Sequence, residues 1–244
     1  MKRSIAFILS CLLLLGLCAC AGTSGGTIEP LNTDAPEQTI NTPDAAEPSA
    51  AEQTDGPDVT EPSAAEQTEN VSGVLVVYFS RTGEQYGVGV IDKGNTAVVA
   101  GMIAEKTGAD MFEILPETDY YPYTYNELTD IAKKEQSENA RPAIRGELPD
   151  LSQYDTIFIG APVWWGDWPM IMYTFFENAD LSGKKLVPFS THEGSGLSGF
   201  DKKLASAVSG AEVLTGMAFR GGDCQNNKSK VESSVSDWLN GLGY

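Results

Sequence analysis

From Val74 to Phe79 the chain is an unbroken apolar run, Val-Leu-Val-Val-Tyr-Phe. A strand covered on both faces reads this way. Met111 to Leu115 alternates as a second strand, and Tyr154 to Ile159, Leu186 to Ser190 and Val213 to Phe219 give three more. Pro188 predicts an irregularity in the fourth. Between the strands, apolar residues fall at helical spacing. Val98, Val99, Met102 and Ile103 share one face of a helix that Asn95 can cap and Gly108 stops. Leu128, Ile131 and Ala132 mark a second helix, closed by Arg141-Pro142, after an aromatic loop at Tyr120 to Tyr125. Met170 to Phe176 follows Pro169, a good first-turn residue. Phe200 to Val208 is a fourth helix, and Val231, Val235, Trp238 and Leu239 form the face of the last. Strand and helix alternate five times. The pattern predicts an α/β fold, a doubly wound three-layer sandwich on a five-stranded parallel sheet. Ligands of such folds sit beyond the carboxyl ends of the strands. The chemistry is expected on the loops after strands one, three and four.

The N-terminus reads differently. Met1-Lys2-Arg3 precedes an apolar run from Ile5 to Leu17, and Leu17-Cys18-Ala19-Cys20 follows. A charged head, a short apolar core and small residues before a cut site describe an export signal. The last four residues resemble a bacterial lipobox, with residues 1–19 as the signal and Cys20 as the lipidated first residue. Residues 21–72 contain no Lys, Arg or aromatic residue, and Glu47 to Thr54 recurs as Glu61 to Thr68. This composition cannot bury a core, so 20–72 is expected to be a disordered acidic linker ahead of a folded domain at 73–244. Its r.m.s. reach is about 40 Å, enough to lift the domain off a membrane surface.

Charge and cysteines narrow the function. The linker holds 11 of the 34 acidic residues, and the domain has 14 basic against 23 acidic residues, a net −9. An acidic domain on an acidic tether argues against nucleic acid and against lying flat on anionic lipid. Cys11 and Cys18 leave with the signal, so Cys224 is the domain's one thiol and His192 its one imidazole. That speaks against an internal disulfide and against a Zn or Fe–S site.

Three loops carry candidate chemistry. After strand one, Ser80-Arg81-Thr82-Gly83 leads, past a gap, to Gly94-Asn95-Thr96 at a helix start. Ser80, Thr82, Asn95 and Thr96 offer short polar groups, and Gly83 and Gly94 leave backbone N–H groups open, as phosphate binding requires. An N-cap followed by a turn would look the same. After strand three comes Pro162-Val163-Trp164-Trp165-Gly166-Asp167-Trp168-Pro169. Three indoles cannot all enter the core of a tight loop. Trp168 is assigned to the core, and the others make a stacking surface for a flat ligand. After strand four comes Thr191-His192-Glu193-Gly194-Ser195-Gly196. Its small residues let backbone approach a ring edge, and His192 either donates to a bound ring or substrate or points at solvent. Gly194, Gly196 and Gly199 match G-x-G-x-x-G by chance, since that fingerprint belongs at the first βα turn. There is no P-loop, and neither Ser195 nor Ser198 sits in a hydrolase elbow.

In order and at strand ends, the three loops resemble the flavodoxin-like family, over about 150 residues. The resemblance implies strand order 2-1-3-4-5 and non-covalently held FMN. It implies that Ser80, Thr82, Asn95 and Thr96 take the phosphate, with Gly83 in the turn and Arg81 adding a charge-assisted bond. Trp164 and Trp165, within Pro162-Val163-Trp164-Trp165-Gly166, would lie near the isoalloxazine. Thr191, His192, Glu193, Gly194, Ser195 and Gly196 would border its other edge. The chain departs from the family in one place: Glu84 to Lys93 interrupts the phosphate loop. Looping out, with both halves rejoining around phosphate, is the expectation. Three functions follow. One is an FMN electron carrier, lipid-anchored at Cys20 on the extracytoplasmic face and serving a redox partner protein. Another is an FMN-dependent NAD(P)H:quinone or small-molecule oxidoreductase, with His192, Tyr120 and Tyr121 lining its pocket. The last is a non-redox flavin-binding or degenerate module.

Overall fold

The computed structural model describes residues 73–244; the expected signal peptide, Cys20 and the linker lie outside the described residues. The elements are β1 (Val74–Phe79), β2 (Gly83–Gln85), β3 (Gly89–Ile91), α1 (Asn95–Thr107), β4 (Asp110–Ile114), α2 (Tyr125–Glu138), β5 (Thr156–Pro162), α3 (Met170–Asn178), β6 (Lys185–His192), α4 (Phe200–Ala207), β7 (Glu212–Val213), β8 (Met217–Arg220), α5 (Gly221–Asn226) and α6 (Lys228–Leu242). The main sheet runs β4-β1-β5-β6, with β7 and β8 both on the outer flank of β6, and every pairing is parallel. Taken as one interrupted strand, β7 and β8 complete the order 2-1-3-4-5.

The side-chain alternation of β1 explains its unbroken apolar run. Leu75, Val77 and Phe79 enter one core with Ile171, Phe175, Phe200 and Leu204 of α3 and α4. Val74, Val76 and Tyr78 enter the other with Val99, Ile103, Val231 and Val235 of α1 and α6. Both faces are covered, which a parallel sheet requires.

Four details differ from expectation. The fifth strand, expected as Val213 to Phe219, breaks at residues 214–216. Leu186 accepts the Leu214 N–H at 2.8 Å, so β6 turns its even-numbered backbone groups toward this flank. Pro188 turns the same way and has no N–H to offer. Gly216 passes so close that a Cβ there would sit 2.4 Å from the Pro188 carbonyl. Second, Asn95 is the first residue of α1, not its cap; Gly94 holds the cap position, and the Ser80 hydroxyl accepts the Ala97 N–H at 3.0 Å. Third, β5 and β6 run past their apolar stretches, so Pro162, Thr191 and His192 are strand ends rather than loop residues. Fourth, Pro169 stands just before α3 as its cap residue rather than in its first turn.

The inserted segment forms an antiparallel hairpin, β2 against β3, pairing Gly83 with Ile91 and Gln85 with Gly89. It leans on the loop before α2. Glu84 donates its N–H to the Tyr123 carbonyl at 3.0 Å, and its carboxylate accepts the Tyr125 N–H at 2.8 Å. The segment therefore loops out, as expected; Ser80 rejoins the start of α1 through the Ala97 N–H, whereas Gly83 goes with the hairpin.

Candidate functional site

A cleft of about 470 Å³ opens at the carboxyl ends of β1, β5 and β6. Its polar end is the start of α1. Ser80 Oγ has taken the Ala97 N–H, and Val98 N–H bonds the Gly94 carbonyl at 3.1 Å. The first two amides, Asn95 and Thr96, have no intrahelical acceptor. Gly94 makes this approach feasible, because a Cβ there would lie 2.1 Å from Ser80 Oγ and 2.7 Å from the Arg81 carbonyl. Ser80, having accepted one bond, keeps its O–H to donate. Asn95 accepts from Gln225 Nε2 at 2.7 Å, which leaves its amide NH2 group. The buried Thr96 hydroxyl meets the Thr191 hydroxyl at 2.8 Å; one proton closes that bond and the other remains available. The cradle thus presents N–H and O–H donors at a positive helix end, as an anion requires.

Arg81 takes another role than the expected phosphate contact, although it lines the cleft. Its guanidinium donates to the Glu84 carbonyl at 2.7 Å, to the Tyr123 carbonyl at 2.5 Å, and to the Pro122 carbonyl from two nitrogens. Five fixed donors suit a loop staple, and Arg81 ties the hairpin to the aromatic loop.

The opposite end of the cleft is aromatic. Trp164 is partly buried, its ring edge-on to Phe79 at 5.3 Å and to Tyr121 at 5.1 Å. Trp165 is 50 % exposed. Trp164 and Asp167 exchange both backbone hydrogen bonds at 2.9 Å, and the two residues between them have positive φ, 49° at Trp165 and 74° at Gly166. That is a type I′ turn, and a bulky side chain is unusual in it. The turn displays the indole at the rim, where Trp165 Nε1 donates to the Thr129 carbonyl at 2.9 Å and Lys133 Nζ lies 4.9 Å from the ring. Trp168 is buried as assigned, stacked on Phe200 with centroids 3.6 Å apart.

His192 lies half-buried on the third wall, not out in solvent. Its Nδ1 accepts the Gly194 N–H at 2.9 Å. A ring nitrogen that accepts carries no proton, so neutral His192 holds its proton on Nε2. Burial pushes its pKa below the ordinary histidine value, against the pull of Glu193, with Arg220 adding to the lowering. Glu193 lines the same wall, but its carboxylate accepts from Gly222 N–H and from Arg220 Nε at 3.0 Å. It ties the start of α5 to the loop after β6 instead of facing a ligand.

Of the expected residues, the cleft brings together Ser80, Arg81, Asn95, Thr96, Pro162, Val163, Trp164, Trp165, Thr191, His192, Glu193, Gly194 and Ser195. Thr82, Gly83, Gly166 and Gly196 lie outside its lining, as do Tyr120 and Tyr121, expected in the pocket of a reductase. Thr82 is exposed, and Gly83 is covered by Tyr123. Gly166 serves the tryptophan turn, and the Gly196 carbonyl accepts from Ser190 Oγ at 3.0 Å. Six lining residues were not anticipated: Gln85 and Tyr86 from the hairpin, and Tyr125, Leu128, Thr129 and Ala132 from α2. The glycine-spaced Gln85-Tyr86-Gly87-Val88-Gly89 carries a hairpin signal that could have found the first two.

Solved structures share this architecture. A candidate flavoprotein from Bacteroides uniformis ATCC 8492 is 30% identical, with a TM-score of 0.54, over 67% of this chain and 97% of that one. A second, from Bacteroides eggerthii DSM 20697, is 28% identical with a TM-score of 0.54, over 70% of this chain and 98% of that one. A flavoprotein of Lactobacillus acidophilus NCFM, solved in complex with FMN, is 22% identical with a TM-score of 0.49, over 64% of this chain and 96% of that one. No curated protein matches the chain. The sequence model of the flavodoxin family matches residues 73–242, and the chain belongs to that family.

Proposed function

We propose that the cleft binds FMN non-covalently and that the protein is an electron-transfer flavoprotein, tethered through Cys20 to the outer face of the cell membrane. The observation that carries this reading is the pairing, in one cleft, of a donor-lined helix start with an indole wall. The N–H groups of Asn95 and Thr96, the Ser80 hydroxyl and the one proton left over from the Thr96–Thr191 pair fit a phosphate, and the missing Cβ at Gly94 keeps the cradle open. Trp164 and Trp165 fit a planar ring. When bound, FMN supplies one- and two-electron redox chemistry; the protein binds and orients it and sets its electrostatic surroundings. His192 offers Nε2–H as a fixed donor to a ring edge. The acidic domain opposes negative charge building up in the cleft, which lowers the potential for reduction.

A second reading, an FMN-dependent reductase of a small molecule, is favoured by the aromatic corner that the hairpin adds. Tyr86 and Tyr125 rings lie 5.7 Å apart at the cleft rim, and Tyr86 is largely exposed. Such a corner suits a flat neutral acceptor such as a quinone. Visible absorption of the full-length chain during FMN addition tests the first claim. Saturable perturbation of the flavin bands at micromolar protein is expected, and unperturbed free-flavin bands would remove it. Stopped-flow oxidation of the reduced, loaded protein by a quinone then separates reductase from carrier.

A further inference from the structure

Glu135 sits on α2 with 3 % of its surface exposed. One carboxyl oxygen accepts from the Tyr121 hydroxyl at 3.3 Å. The Tyr120 phenol approaches the same carboxyl, yet Oε1 has no hydrogen-bond partner among the described residues. It is the one buried side-chain polar atom there in that position. None of the ion pairs among the described residues involves it. Arg141, just past the helix, gives its guanidinium to Glu177 and to the Asn139 and Ala140 carbonyls, and Lys133 lies over Trp165. The titratable groups facing it are Tyr121 and Tyr120, with Glu138 further along the same helix. A buried, half-satisfied carboxyl is costly to ionise and calls for an explanation.

The Tyr121 ring connects that carboxyl to the cleft. It packs edge-on to Trp164 at 5.1 Å and to Phe79 at 5.5 Å, and Trp164 and Phe79 pack on each other. Tyr121 stays protonated across the accessible pH range, because burial and the neighbouring Glu135 raise its pKa. It therefore always donates, and only Glu135 changes state.

We propose that Glu135 is a positioning residue for the tryptophan wall: through Tyr121 its protonation state sets how Trp164 is presented to the cleft, and couples one proton to the charge carried by the cleft ligand. Neutral Glu135 accepts from Tyr121 weakly. Ionised Glu135 pulls the phenol harder, shifts the Tyr121 ring where it packs on Trp164 and adds a negative charge one side chain away from the indole. Added negative charge in the cleft then favours uptake of one proton from solvent by Glu135. Burial raises the Glu135 pKa to about 7, against the opposing hydrogen bonds, so the switch falls at physiological pH. The redox half of this inference rests on the FMN reading; the wall half does not.

Tryptophan emission of the full-length chain without FMN, followed from pH 5 to 9, tests the wall. A one-proton transition near pH 7 is expected, absent in Glu135→Gln and in Trp164→Phe. In Tyr121→Phe the hydrogen bond that carries the pull is gone, so the transition should be lost although Glu135 is still present. That variant keeps the test open if Glu135→Gln fails to fold. Superimposable titrations of wild type and Glu135→Gln, or an undiminished transition in Tyr121→Phe, would overturn the proposal. With FMN, the dissociation constant should weaken roughly fivefold between pH 6 and 8.5 in wild type and stay level in Glu135→Gln. A flat wild-type profile sinks the coupling. Absence of FMN binding alongside an intact emission transition sinks the FMN reading and the coupling, and leaves the wall intact.

Discussion

The hydroxyls of Thr96 and Thr191, 95 residues apart, meet at 2.8 Å and are buried together. This bond joins the first turn of α1 to the end of β6, so the helix start and the His192 wall are set against each other before any ligand arrives. Val is nearly isosteric with Thr but strands its partner hydroxyl. Thr96→Val and Thr191→Val should each cost about 1–3 kcal/mol of stability. The double variant should cost less than their sum, since it removes both unpaired groups. Urea unfolding of the four proteins measures this.

Gly94 is the tightest point of the cradle. Replacing it with Ala drives a methyl into Ser80 Oγ and the Arg81 backbone. Either β1's loop or the start of α1 must move, at about 1–3 kcal/mol. FMN affinity should fall by roughly a hundredfold or more, because the donors lose their common focus. Calorimetric titration of Gly94→Ala beside wild type checks it.

Trp165 occupies a backbone conformation better suited to Asn or Gly, with φ 49°. Trp165→Asn places an Asn-Gly pair at the type I′ turn, the preferred sequence there. Thermal stability should hold or rise, while flavin affinity drops by roughly tenfold with loss of the indole. A parallel loss of both would mean that Trp165 is structural.

Much of this fold is readable from side-chain chemistry alone. The two-sided apolar run of β1 and the helical spacing of Val98, Val99 and Ile103 predict elements that form where expected. Trp168 is the buried one of three indoles that cannot all enter the core of a tight loop. What escapes is long-range. No local pattern says that Arg81 turns back to the Pro122 and Tyr123 carbonyls rather than toward an anion. Leu128 and Ala132 are apolar at helical spacing, so they read as core, and they are buried while also lining the cleft. Pro188 signals the irregularity, but the break appears on its neighbour, between β7 and β8, because the missing donor belongs to the ladder both strands share.

Glu135 also makes stability depend on pH. Its folded pKa of about 7 lies above the ordinary 4.5, so the folded state holds a proton that the unfolded chain has lost. The stabilisation is full below 4.5 and is lost as pH rises toward 7, up to about 3 kcal/mol. His192, held below its ordinary value, acts in the other sense: its contribution is present above 6.5 and lost as pH falls. Glu135→Gln should therefore be more stable than wild type at pH 8, with a flatter profile between pH 5 and 7. Guanidinium unfolding across pH reads both.

The central claim is that the helix start grips a phosphate while the indoles take a ring. Titrating the full-length chain with FMN and with riboflavin separates the two halves most directly. The account predicts one FMN per chain and riboflavin binding weaker by roughly a hundredfold, the contribution of several charge-assisted hydrogen bonds. Equal affinity for the two flavins, or affinity for neither, would contradict it.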